Sequence, residues 1–192
     1  MYILTFDRSS PEQFVEFWKP LYKDPREKLY KDNIGGDLDR LDVVMELFAW
    51  KKGFKKWNTI SQKQQDSIRR NYINDETVYP EVPDNEFLKD FLHKHGGTIW
   101  RIFWLHCNYP DIYPIYDRHV YRAMTYLEKG VITEISGNNK KKVVSYLDEY
   151  LSFFKQFQGK GFSVKQIDEA LFAFGKFLKS PYGKLVAQRY LE

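Results

Sequence analysis

Apolar side chains recur along this chain at helical spacing. Phe14, Phe17, Trp18, Leu21 and Tyr22 share one face behind Ser10, Pro11 and Gln13, a capping box with proline at the first helical position. Pro20 is expected to kink that helix or end it early. Asp37 is placed to cap the next run, Leu38, Leu41, Val44, Met45 and Phe48, which Gly53 stops. A third helix is expected over residues 61–73. After Pro80 and Pro83, Asp84 caps a fourth that turns Phe87, Leu88, Phe91 and Leu92 to the core, and Gly96 and Gly97 break it. Thr98 then opens IWRIFWLHC, apolar nearly all round, as in a helix at the middle of a bundle. Asp117 precedes the periodic run Val120, Tyr121, Met124 and Leu127, which ends at Gly130. Beyond Gly137 come a helix of Tyr146, Leu147, Tyr150, Leu151 and Phe154, another opened by the capping box Ser163 and Gln166, and a short one after Ser180 and Pro181. Only the first six residues read as a strand, and no internal repeat is evident. The pattern predicts an all-α fold.

At 192 residues the chain fits one domain, 1–192, built as two interleaved helical lobes with a central cleft. A hydrophobic fraction of 43% with 18% aromatics argues against disorder and for a packed interior. The single cysteine excludes an internal disulfide framework and suits a reducing compartment. No apolar run is long enough to span a membrane, and the start, MYILTFDRSS, lacks the basic flank and apolar core of a secretory signal. A cytoplasmic monomer that keeps away from membranes is expected.

The net charge of +4 is unevenly placed. Residues 138–192 hold ten Lys or Arg against Asp148, Glu149, Asp168, Glu169 and Glu192, a net of +5, so the rest carries −1. A second basic knot, Lys51, Lys52, Lys55 and Lys56, is interleaved with Phe54 and Trp57. Such a pattern suits a phosphate backbone; it equally suits a solvated, solubilising face.

The stretch with the most specific chemistry is PIYDRHVYRAM, Pro114 to Met124. Asp117 sits where a helix N-cap belongs, accepting backbone N–H bonds at the positive end of the helix, which keeps it ionised. A carboxylate so held can stabilise a developing cation or orient a water. As residue chemistry alone the plain cap is the favoured reading of the two.

A helix, a tight turn through His95, Gly96 and Gly97, a buried helix, a short loop and then PIYDRHVYRA together resemble the helix-hairpin-helix-GPD superfamily of DNA glycosylases. The likeness covers roughly residues 84–178, with the helix from Asp37 to Gly53 as an earlier piece. In that family a hairpin of LPGVG type is followed about twenty residues later by an Asp in a VDTHVxR-like segment. Asp117 stands twenty residues after Gly97, with His119, Val120 and Arg122 at the matching positions. The segment Ile167 to Leu178 is similar to the helix that packs behind the active site there. The departures are a degenerate hairpin, LHKHGGT, and no lysine nucleophile after its glycines, where Gly97 or Thr98 stands.

The resemblance implies a monofunctional glycosylase that rotates a damaged or modified base out of double-stranded DNA and hydrolyses its N-glycosidic bond. It would serve base-excision repair or defence against phage DNA with modified bases. Asp117 takes the catalytic role; Trp50, Trp100, Trp104 and His119 are pocket candidates. Lys51, Lys52, Lys94, His95, Gly96, Gly97, Thr98 and Arg122 are expected on DNA. No lyase step and no cofactor are implied, and Cys107 stands alone where some members hold an iron–sulfur cluster.

Other readings remain open. A catalytically inactive DNA-binding module of the same fold predicts duplex binding without base release, and an interaction protein that keeps only the fold predicts neither. A metal hydrolase is suggested by His93, His95, His106 and His119 with Cys107, Asp111 and Asp117. No HxxxH or CxxC pair supports it, so no metal is expected.

Overall fold

The structure is a computed structural model that describes the backbone of residues 10–188 and side chains through residue 185. The described residues contain helices and no strands; the strand-like opening segment lies outside them. None of the described helices is long and apolar enough to cross a membrane. The chain forms two compact units, one nested in the sequence of the other: residues 1–23 with 111–192, and residues 24–110.

The discontinuous unit begins with α1 (Pro11–Trp18), where both hydrogen bonds of the Ser10/Gln13 capping box are made. Pro20 ends it early, in a 3-10 turn over Lys19–Leu21. Its buried stripe is Phe14, Val15 and Trp18; Phe17 and Leu21, expected on the same face, are exposed. The tightening to 3-10 geometry rotates the stripe away from Leu21.

After residue 111 the unit continues with α7 (Arg118–Lys129), α8 (Asn139–Val144), α9 (Leu151–Lys155), α10 (Val164–Lys179) and α11 (Pro181–Gln188). A π-helical turn, Ser145–Tyr150, joins α8 to α9. Helix α10 is the centre: α1, α7 and α11 all pack on it. Phe174 meets Phe14 edge-on at 5.3 Å and Trp18 at 4.9 Å, so the N-terminal helix is held by an aromatic cluster.

The continuous unit holds α2 (Glu27–Lys31), α3 (Leu41–Lys52), α4 (Gln62–Ile68), α5 (Asn85–His93) and α6 (Thr98–Asn108). Helix α4 runs on through a π-helical turn, Arg69–Ile73. Gly53 closes α3 in the left-handed conformation at φ 91°, as its position predicts. Asp37 does not cap α3, which starts later, at Leu41. Asp37 instead accepts from the amide of Asp39 in the preceding turn. Asp84 does cap α5, accepting from Phe87 N at 2.8 Å. Helix α6 is buried along nearly its whole length, as a sequence apolar nearly all round predicts.

Candidate functional site

The junction that feeds α7 carries the chemistry. Asp117 has extended backbone (φ −153°), and its Oδ1 accepts from His119 N at 2.7 Å and Val120 N at 3.2 Å. Two N–H dipoles at the start of a helix converge on one oxygen, which fixes where the negative charge sits. The residue is half-buried.

The loop before it, Tyr113 to Tyr116, is fully buried, so its backbone polar groups need partners. They find them in α10 and in the π-helical turn. Asp168 Oδ2 accepts from Ile115 N at 2.9 Å, and the Tyr146 hydroxyl donates to Pro114 O at 3.2 Å. The Tyr150 hydroxyl lies 3.3 Å from Ile115 O and 3.4 Å from Asp168 Oδ1. Burial, with the nearby Asp168 carboxyl second, pushes both phenols well above their ordinary pKa and keeps them protonated as donors. Asp168 is the residue that sequence reasoning passes over. Its signal is a carboxylate on the buried stripe of α10, in register with Leu171 and Gly175.

His119 packs its ring against Phe172, centroids 4.7 Å apart, and its Nδ1 is 3.4 Å from Arg122 Nη1. A guanidinium only donates, so Nδ1 accepts and Nε2 carries the proton. Burial pushes the imidazole pKa down, and Arg122, Arg118 and Lys179 push the same way against the opposing charge of Asp117. His119 is therefore neutral near pH 7.

Arg122, expected on DNA, is buried at 1% exposure. Its Nη1 donates to Gly175 O at 2.9 Å and its Nη2 to Glu134 Oε1 at 2.5 Å. The arginine is a tie between α7, α10 and the loop after α7, because the glycine leaves a backbone carbonyl open to it. Gly175 allows that closeness: a Cβ there would stand 1.9 Å from the His119 carbonyl oxygen.

Asp117, His119 and Arg122 all belong to the discontinuous unit; the remaining candidates belong to the other. There, Trp50 and Trp104 are core side chains rather than pocket walls. Trp50 packs on Tyr30 and Phe103, and Trp104 donates to the Tyr79 hydroxyl at 2.7 Å. Their wide rings suit a helix core as well as a pocket, which is why spacing cannot separate the two. Trp100 is half-buried, stacked on Phe48 at 5.5 Å, with Lys52 Nζ 4.8 Å from its ring and Lys51 Nζ 5.7 Å from that of Phe103.

The connection from α5 to α6 runs from Lys94 to Gly97, with Gly96 (φ 109°) and Gly97 (φ 89°) in a region that favours glycine. Arg101 Nε donates to His95 O at 2.7 Å and the Tyr72 hydroxyl to Gly96 O at 2.9 Å. Lys94 bonds Asp75 and Thr77, so its charge is already engaged. Thr98 is buried at the first turn of α6 and His95 is exposed.

Among the described residues no group of three or more His, Cys, Asp or Glu could hold a metal ion. His93 Nδ1 lies 2.7 Å from Lys89 O, and buried His106 is 2.7 Å from the Tyr30 hydroxyl. A cavity of about 350 Å3 opens in the discontinuous unit beside the loop–α7 junction, walled by Tyr116, Tyr121 and α8. Sequence reasoning, drawn to the tryptophans, does not find it. Comparison of the chain with protein-family models, with curated proteins and with solved structures finds no match.

Proposed function

We propose that the protein is a monofunctional DNA glycosylase, a monomer acting on double-stranded DNA with Asp117 as its catalytic carboxylate. One observation carries the reading: a half-buried aspartate is aimed by two backbone amides, on a loop whose own backbone is held by buried Asp168, Tyr146 and Tyr150. A preorganised charge of that kind stabilises a cation without reorganising at the moment of reaction.

The target nucleotide is rotated out of the duplex. The bond from C1′ to the base nitrogen then breaks, its electron pair leaving with the base, which takes up a proton. Positive charge grows on the sugar, and Asp117 stabilises that oxocarbenium ion. Water adds its oxygen to C1′ and releases a proton, leaving an abasic site. His119, neutral and half-buried in the first turn of α7, shapes the approach rather than adding charge. Repair and defence against phage DNA with modified bases are both served by this chemistry.

Asp117→Asn tests the reading, because asparagine caps a helix about as well as aspartate and the fold is retained. Incubation with modified genomic and phage DNAs, scored for alkali-labile sites and released base, should show a loss of at least about 10²-fold. Base release by the variant at the wild-type rate sinks the mechanism. Duplex binding by the wild-type chain with no abasic product marks a binding module instead.

A further inference from the structure

The cavity beside the loop–α7 junction has a divided character. Its floor is Tyr116, fully buried, whose hydroxyl donates to Ser145 Oγ at 3.0 Å; Ser145 in turn donates to Glu149 at 2.7 Å. Tyr121 stands edge-on to Tyr116 at 6.2 Å and is half-buried, so part of its ring is left to the opening. Burial raises the Tyr116 pKa, so the hydroxyl chain keeps its direction and ends on the Glu149 carboxylate.

The rim is cationic. Lys140 and Lys141 are exposed and have no acidic partner among the described residues. Lys142, half-buried, donates to Gly137 O and Asn139 Oδ1 at 3.3 and 3.2 Å. The opposing charge is Glu149, which Lys129 approaches at 3.8 Å. The cavity therefore offers an aromatic surface, a hydroxyl chain ending in an acceptor, and a surplus of positive charge at its mouth.

We propose that this cavity binds one nucleoside 5′-phosphate unit, its base against Tyr121 and its phosphate at Lys140 and Lys141. The volume of about 350 Å3 is near the lower end of the range for small-ligand sites, about 300–1,000 Å3, which suits one nucleotide. An inorganic anion would leave the tyrosine surface unused, and a bare nucleoside would leave the lysines unused. The site goes beyond base release: Asp117 is not in its wall, although Tyr116 and Tyr121 flank it in sequence. The nucleotide can come free or as part of a single strand.

Titration of the full chain with deoxyadenosine 5′-monophosphate, deoxyadenosine and inorganic phosphate, followed calorimetrically, tests this. The monophosphate should bind at least about 10-fold tighter than either fragment, since stacking and charge-assisted bonds act together. Lys140→Glu with Lys141→Glu, both exposed, should weaken it by at least about 10-fold and leave the thermal transition unchanged. Lys63→Glu, on the other unit, should change nothing. A monophosphate that binds no better than phosphate, or that ignores the Lys140/Lys141 change, overturns the proposal.

A single-stranded oligodeoxyadenylate separates the sources. Binding of both oligomer and monophosphate, each weakened by the double change, supports a seat for a nucleotide in a strand. Binding of the monophosphate alone supports a small-molecule site, and binding of neither overturns it. Abasic product is scored separately, so intact nucleotide binding without base release counts against the glycosylase reading alone.

Discussion

At the scale of single residues, one titration stands out. His119 has a folded-state pKa below the ordinary 6.5 because burial penalises its charged form. Below 6.5 the unfolded chain then binds the extra proton more readily than the folded one, so protonation favours unfolding. The contribution to stability is full above about pH 6.5 and is lost as pH falls through the lowered folded value. Thermal melts between pH 7.5 and 5 should show the melting temperature falling on the acid side, and His119→Gln should flatten part of that fall. An unchanged profile in the variant means that the imidazole is not the group responsible. Asp168 serves by geometry: its Oδ2 answers the Ile115 amide that a buried loop cannot leave unmet.

At the scale of elements, the contact of α7 with α10 decides the geometry around Asp117. Gly175 lets the two backbones approach so closely that any Cβ there collides with the His119 carbonyl, and a backbone atom cannot swing aside. Gly175→Ala should therefore cost about 2–3 kcal/mol, and for a chain of this size lower the melting temperature by about 5–10 °C. A melt that matches the wild type would mean the helices separate freely. The same variant should disturb Arg122, whose guanidinium rests on the Gly175 carbonyl. Caps and stops on these elements were legible in the sequence because they are local: Ser10 with Gln13, Asp84, Asp117, Ser163 with Gln166, and Gly53 each act within a few residues. Asp117 was legible for that reason too. What spacing could not reveal depends on distant partners: the burial of Arg122 by a glycine on another helix, the exposure of Phe17 and Leu21, the core placement of Trp50 and Trp104, and the support from Asp168. Short α2, with no periodic apolar face, was also illegible.

At the scale of the whole chain, charge divides by unit. Acidic and basic side chains balance in residues 24–110, so the formal net charge of +4 belongs to the unit that holds Asp117. A DNA complex formed through about four of its cations should lose about 10²-fold in affinity between 50 and 200 mM salt, a slope that filter-binding or anisotropy titrations measure directly. Affinity that does not vary with salt excludes phosphate contacts as its source.

The aromatic cluster that joins α1 to α10 has a consequence for synthesis. Phe14 and Trp18 leave the ribosome before the nested unit, whereas Phe174 is made only after every residue of it. Residues 24–110 can therefore complete their contacts while α1 still shows its aromatic face to water. Pairing of such distant segments is the slow kind of folding step, and until α10 emerges that face is open to chaperones and to other nascent chains.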